Sequence, residues 1–176
     1  MTGAATAPSV GLRPATPDDA PFLAAVYAST REAELAQMPF TADEKAAFLA
    51  QQFAAQSHHY AQYADTTFDV VLVDGVPGGR LIVGRWADQL RIVDIALLPH
   101  ARDRGIGHGL VSDVIAEGEA RGVATTIYVE RFNPAQRLYA RLGFELAQED
   151  DGGIYLFLER RPAGRPGAPR ATPNAA

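Results

Sequence analysis

The sequence contains no cysteine, which excludes disulfides, thiolate nucleophiles and thiolate metal sites together. Its four histidines are His58, His59, His100 and His108, and none pairs with another at a metal-binding helical or hairpin spacing. No metal is therefore expected. No apolar run approaches the roughly 20 residues that a membrane span requires. Residues 1–8 lack the basic stretch and apolar core of a secretory signal, so a cytoplasmic location and no membrane partner are expected. Positive charge is also short, with 16 Lys and Arg against 21 Asp and Glu. Nucleic acid is not expected as a partner, because affinity for it comes largely from Lys and Arg that neutralise phosphates.

At 176 residues, 47% hydrophobic and 21% charged, the chain reads as one folded domain, since a chain of this size buries roughly 70% of its unfolded surface. Residues 1–8 are small and featureless. Residues 161–176 mix Pro, Gly, Ala and Arg without periodicity, and both ends are expected to be disordered around a single domain of residues 9–160.

Within that domain, residues 10–14 read as a short strand. Thr16, Pro17, Asp18 and Asp19 announce a helix bearing Phe22, Leu23, Val26 and Tyr27. Thr41 and Glu44 stand at capping-box spacing before a second helix, expected to run to about Tyr63 with Leu49, Phe53, Gln56, Tyr60 and Tyr63 on one face. Gln52 and Gln56 read either as a solvated edge or as groups facing a pocket. Residues 68–73, 80–85 and 90–98 are three strands rich in branched residues, joined by connections short enough for antiparallel neighbours. A helix with Leu110, Val111, Val114, Ile115 and Gly118 on one face stops at Gly122. A strand at 125–130 follows, and the crossover length predicts that it lies parallel to 90–98. Asn133 and Pro134 start a further helix that ends at Gly143, and 144–148 with 154–159 form a final hairpin. The order β, α, α, β, β, β, α, β, α, β, β describes an α+β domain with a mixed, mostly antiparallel sheet.

The most informative stretch is 90–110. An apolar strand stops at Pro99, and Arg102-Asp103-Arg104-Gly105-Ile106-Gly107-His108-Gly109 leads into a helix. Such a turn delivers free backbone N–H groups and a helix N-terminus to one point, which suits a phosphate. The glycine spacing fails a dinucleotide fingerprint, because the sixth position from Gly105 is Leu110, and no Gly-Lys precedes a Ser or Thr as in a nucleotide-triphosphate loop. An adenosylmethionine-dependent methyltransferase stays open. Gly105, Gly107 and Gly109 alternate as in its turn and Glu130 ends the next strand, although Pro99 to Arg104 separate strand from glycines.

Arg102, Gly105 and Gly107 match in register the central motif of the GNAT superfamily of N-acetyltransferases, and Asn133, Leu138, Tyr139, Gly143 and Phe144 match its second signature. The chain resembles that family over roughly residues 12–158. The resemblance implies acetyl-CoA or coenzyme A as cofactor and a twisted sheet of about seven strands flanked by about four helices, splayed between the fourth and fifth strands. It further implies that backbone groups of Leu97 and Leu98 bind the pantetheine arm, one N–H facing the thioester oxygen. The N–H groups of Arg102, Asp103, Arg104, Gly105, Ile106, Gly107, His108 and Gly109 would surround the pyrophosphate, with glycines permitting unusual dihedrals at Gly105, Gly107 and Gly109. Asp103 stands where a glycine is common and is expected to face solvent. Asn133 is either a coenzyme contact or only a helix cap.

Tyr139 matches the family's proton donor. Glu130 and Asp94 are the carboxylates best placed to act as base, and Asp94 reads equally as a buried partner for Arg80, Arg85 or Arg91. The implied activity is direct transfer of acetyl to a primary amine on a small molecule or peptide, since no cysteine exists to carry the acyl group. A non-catalytic acyl-CoA sensor needs the same turn and stays open. The acceptor should be shaped by the first two helices, where Glu32 and Glu34 could attract a cationic amine. Homodimerisation also stays open, because no exposed apolar patch is visible in a sequence.

Overall fold

Local chemistry sets most element ends. Thr41 and Glu44 cap each other reciprocally, the Thr41 N–H donating to Glu44 Oε2 at 2.7 Å and the Glu44 N–H to Thr41 Oγ1 at 3.3 Å, which starts α2 (Ala42–Tyr60). Thr16 and Asp19 form the same box around a 3₁₀ turn, Pro17–Asp19, so that α1 begins only at Ala20 and runs Ala20–Leu35. Pro21 then sits in a first turn, where its missing N–H costs nothing. At the end of α3 (Ile106–Arg121), Gly122 takes φ +66° and the Val123 N–H reaches back to the Gly118 carbonyl at 3.0 Å. That left-handed stop is the one glycine favours. The fourth helix, α4, spans Gln136–Arg141.

The structure, a computed structural model, describes residues 7–150 and 152–163. Of the ends expected to be disordered, residues 1–6 and 164–176 lie outside the described residues. Among the described residues no helix is long and apolar enough to cross a membrane.

Seven strands, β1 (Val10–Pro14), β2 (Thr66–Val73), β3 (Val76–Arg85), β4 (Gln89–Leu97), β5 (Ala124–Glu130), β6 (Glu145–Glu149) and β7 (Tyr155–Arg160), form one sheet in the order β1-β2-β3-β4-β5-β7-β6. Every neighbouring pair is antiparallel except β4 and β5, which are parallel. The α3 crossover makes that parallel pair possible. The expected order, sheet type and parallel pair all hold. The final hairpin turns back so that β7, rather than β6, pairs with β5.

One face of the sheet packs on α3 and α4 through Leu81, Val83, Leu90, Ile92, Leu110, Val111 and Val114, each at most 4% exposed. Burial of such side chains contributes roughly 1.5–3 kcal/mol apiece. The other face carries α1 and α2. Val26 is fully buried there, and the Tyr27 and Phe53 rings meet at 5.9 Å.

A β-bulge in β4 positions the site. Ile82 pairs with Asp94 and Val83 with Ile92, which leaves Val93 as an extra residue. Before it Leu90 and Ile92 face the α3 core, and after it Ile95 and Leu97 do. The change of parity turns Asp94 to the opposite face, toward Arg80.

Candidate active site

Strands β4 and β5 pair only from Gln89 with Ala124 to Ile92 with Ile127. Beyond that they part, and a cleft of about 220 Å³ opens between their ends under α1 and α2, lined among others by Arg31, Arg80, Asp94, Glu130 and Tyr139. The Leu98 N–H donates to the Gly78 carbonyl at 2.9 Å, and the Leu98 carbonyl accepts from the Ala101 N–H at 2.9 Å. Both backbone groups of Leu98 are thus engaged, which removes it from the expected arm-binding pair. Strand alternation then aims the N–H groups of Ile95 and Leu97 at the gap, where β5 no longer meets them. The Ile95 backbone, rather than that of Leu98, faces the gap.

At the end of that gap lies the glycine turn. Gly105 has φ +77° and caps α3 without any side-chain hydrogen bond. Among the described residues the N–H groups of Asp103, Arg104, Gly105, Ile106, Gly107 and His108 have no acceptor. The Arg102 and Gly109 N–H groups differ from expectation, donating to the Pro99 carbonyl at 3.2 Å and the Gly105 carbonyl at 3.0 Å. Gly107 and Gly109 also lack the expected unusual dihedrals, since only Gly105 in the turn has a positive φ among the glycines. What Gly109 offers is space, for a Cβ there would meet nothing within 4 Å. Asp103 is exposed, as expected, and holds φ +57°, which explains why a glycine suits that position and why a short polar residue is tolerated.

Neither arginine of the turn is free. The Arg102 guanidinium donates to the Leu97 carbonyl at 2.8 Å and to the Ser29 carbonyl and Oγ at 3.2 Å, bracing the end of β4 against α1. Arg104 reaches Asp74 at 3.3 Å in an exposed pair, the kind worth little in stability.

Tyr139 is 3% exposed, held edge-on to Phe144 at 5.6 Å. Its hydroxyl has no hydrogen-bond partner among the described residues. Burial, helped by the charge of Asp94, pushes its phenol above the usual range. Tyr60, also on the cleft, is raised by burial in the same way.

Glu130, at the end of β5, faces Arg31 of α1 at 3.4 Å. Asn133 accepts from the Ala135 N–H at 2.9 Å in the turn that precedes α4, whose own N-cap residue is Ala135, and it lines the cleft as well. Asp94 takes Arg80 as its partner, and Arg80 in turn donates to Gln56 at 2.7 Å. Burial raises the Asp94 carboxyl more than Arg80 lowers it.

Gln56 thus faces the pocket, whereas Gln52 is exposed. Glu32 and Glu34 do not line the cleft, and the contribution of α1 there is Tyr27, Thr30 and the cation Arg31. Arg80, Arg31 and Tyr155 were not foreseen as cleft residues. The signal for Arg80 was a charge inside an otherwise apolar strand, matched by the opposite charge of Asp94 in the next.

The model of the acetyltransferase (GNAT) family matches residues 28–144. The chain belongs to that family. Its members draw the acetyl group from acetyl-CoA, and the methyltransferase reading falls. Among solved structures this acetyltransferase is similar to PaiA N-acetyltransferase from Thermoplasma acidophilum in complex with coenzyme A, at TM-score 0.66 and 17% identity over 87% of this chain and 99% of that one. An acetyltransferase from Thermus thermophilus is similar at 0.62 and 21%, over 87% and 97%. The ribosomal-protein-S18-alanine N-acetyltransferase of Escherichia coli is similar at 0.59 and 19%, over 93% and 100%. These likenesses show the fold. No curated protein matches the chain.

Proposed function

We propose that this acetyltransferase moves acetyl from acetyl-CoA directly to a primary amine. The observation that carries the reading is the alignment of three features along one gap: six unengaged N–H groups at the turn, unpaired strand backbone beyond Ile92, and a buried tyrosine hydroxyl without a partner. The residues fit the cofactor. The N–H groups of Asp103 to His108 and the α3 dipole suit a dianionic pyrophosphate. The Ile95 backbone and the Leu97 N–H suit an extended arm with amides, and Asn133 borders the same cleft.

Acetyl-CoA, when bound, supplies an acetyl group activated as a thioester. The Leu97 N–H serves as the oxyanion donor, a role typically worth ~10² to 10³ in rate. Glu130 takes the proton that the amine gives up, directly or through one water, and the Tyr139 hydroxyl gives a proton to the departing sulfur. Asp94 holds Arg80 in place rather than acting as base. Isothermal titration tests the reading. Coenzyme A and acetyl-CoA are expected to bind at micromolar levels, and failure of both, with adenosylmethionine binding instead, would overturn it. Silence in thiol release across a panel of amines, amino acids and peptides would favour a sensor.

A further inference from the structure

The acceptor half of the cleft carries an unusual charge set. Two guanidiniums, Arg31 and Arg80, and two carboxylates, Asp94 and Glu130, line it together, so that its formal charge balances. A polycation gains no net attraction there.

The guanidinium donors are only partly used. The Arg80 side chain is 6% exposed. Its Nε donates to Asp94 and its Nη2 to Gln56, while its Nη1 has no partner among the described residues. That nitrogen is not sealed in the protein, for the sole buried, unpartnered side-chain nitrogen or oxygen among the described residues is Arg91 Nε. Arg80, itself largely buried, therefore presents a free, fixed donor to the cleft, where an unmet charged donor is costly. Arg31 uses Nη1 on Glu34 and Glu130, and its guanidinium also engages Tyr27, whose ring it overlies at 5.7 Å, so that it stands at the cleft as a cation already partnered by protein. A fixed, charged and unpartnered N–H donor such as Arg80 Nη1 suits a carboxylate oxygen.

Geometry adds the separation. Asp94 is on β4, the strand that borders the gap, and Arg80 is on β3, one strand spacing of roughly 4.8 Å farther from β5. An amine at the gap, beside Glu130 and Tyr139, would thus have its anionic group only a few bonds away.

We infer that the acceptor is a small free amino acid, its amine at the β4–β5 gap and its carboxylate held by the free Nη1 of Arg80, with the Arg31 cation beside it. This rests on the acetyltransferase reading. The N–C bond that forms and the C–S bond that breaks leave the carboxylate untouched, so its role is binding and orientation.

The test compares each of the common L-amino acids with its carboxamide and its decarboxylated amine, with spermidine and a short peptide alongside, by thiol release from acetyl-CoA. The chain has no cysteine to add background. At least one amino acid is expected to exceed its carboxamide and its amine in kcat/KM by about 10²-fold or more. Calorimetric titration of that amino acid onto the coenzyme A complex should show binding that the carboxamide lacks. Arg31→Gln and Arg80→Lys are each expected to narrow the acid-to-carboxamide ratio about tenfold or more. A merely damaged fold lowers both substrates and keeps the ratio. Equal or better turnover of carboxamide, amine, spermidine or peptide overturns the inference, as does an unchanged ratio in both variants. Absence of any amino acid turnover while coenzyme A binds also overturns it, and absence of coenzyme A binding overturns the acetyltransferase reading with it.

Discussion

Replacing Tyr139 by phenylalanine separates the chemistry from the fold. The ring is 3% exposed and meets Phe144 at 5.6 Å, and phenylalanine keeps both the volume and that contact. The hydroxyl has no protein partner among the described residues, so its loss breaks no internal hydrogen bond there, and the stability change should stay within about 0.5 kcal/mol. General-acid catalysis contributes about 10² to 10⁴ in rate. At 1.36 kcal/mol per decade, this is roughly 2.7–5.4 kcal/mol of barrier. Tyr139→Phe should therefore lower kcat by that factor at saturating acetyl-CoA and acceptor, with little change in KM for acetyl-CoA and an unchanged Tm. A pH profile adds a second reading. Burial raises this phenol above its ordinary value, so the acid stays protonated at every pH below about 10, and kcat of the unaltered enzyme should show no decline assignable to it below that pH. Unchanged kcat in the variant would remove Tyr139 from the acid role. A matching loss of Tm would show instead that the hydroxyl serves the fold.

Two stability predictions follow from packing and charge. A Cβ at Gly118 would lie 2.6 Å from Thr125 Oγ1 and 3.2 Å from the Val123 carbonyl, and Thr125 is 2% exposed and has little room to move. Gly118→Ala should thus destabilise by about 1–3 kcal/mol in denaturant unfolding, against the roughly 1 kcal/mol gain that helix propensity alone promises. A stabilised variant would refute the close approach. Asp19 accepts from Arg13 at 2.6 and 2.8 Å and from the Thr16 N–H at 2.8 Å, which holds its carboxyl far below the usual range. A depressed acid stabilises above its unfolded pKa of about 3.9 and loses that contribution only as pH falls toward the folded value. The Tm gap between the chain and Asp19→Asn should therefore be constant from pH 7 to 5 and shrink below about pH 4. A gap already closing at pH 6 would refute the assignment.

Much of the site was legible because it is local. The turn at Gly105, the caps at Thr41 and Gly122, and the spacing from Arg102 to Gly107 depend on residues within one turn of each other. The order of the predicted elements also pointed to the α+β class and the β4–α3–β5 crossover, and the resemblance of two motifs pointed to the acetyltransferase family.

Side-chain direction was less legible. Arg102 and Arg104 stand beside the glycines in sequence, yet Arg102 braces Leu97 and Ser29 and Arg104 pairs with Asp74. Leu98 was expected to bind the arm, but its N–H closes the β3–β4 ladder.

The sequence by itself determined the type and order of the helices and strands and some of their ends, because caps, glycine dihedrals and hydrophobic alternation act over a few residues, whereas β3 begins at Val76 rather than at 80 and α4 only at Gln136. Only tertiary structure decided that β7 enters between β5 and β6, that the bulge at Val93 turns Asp94 away from the α3 core, and that Arg80 and Arg31 meet in one cleft with Glu130. These depend on partners dozens of residues away, and one skipped residue in a ladder reverses which face every later side chain occupies.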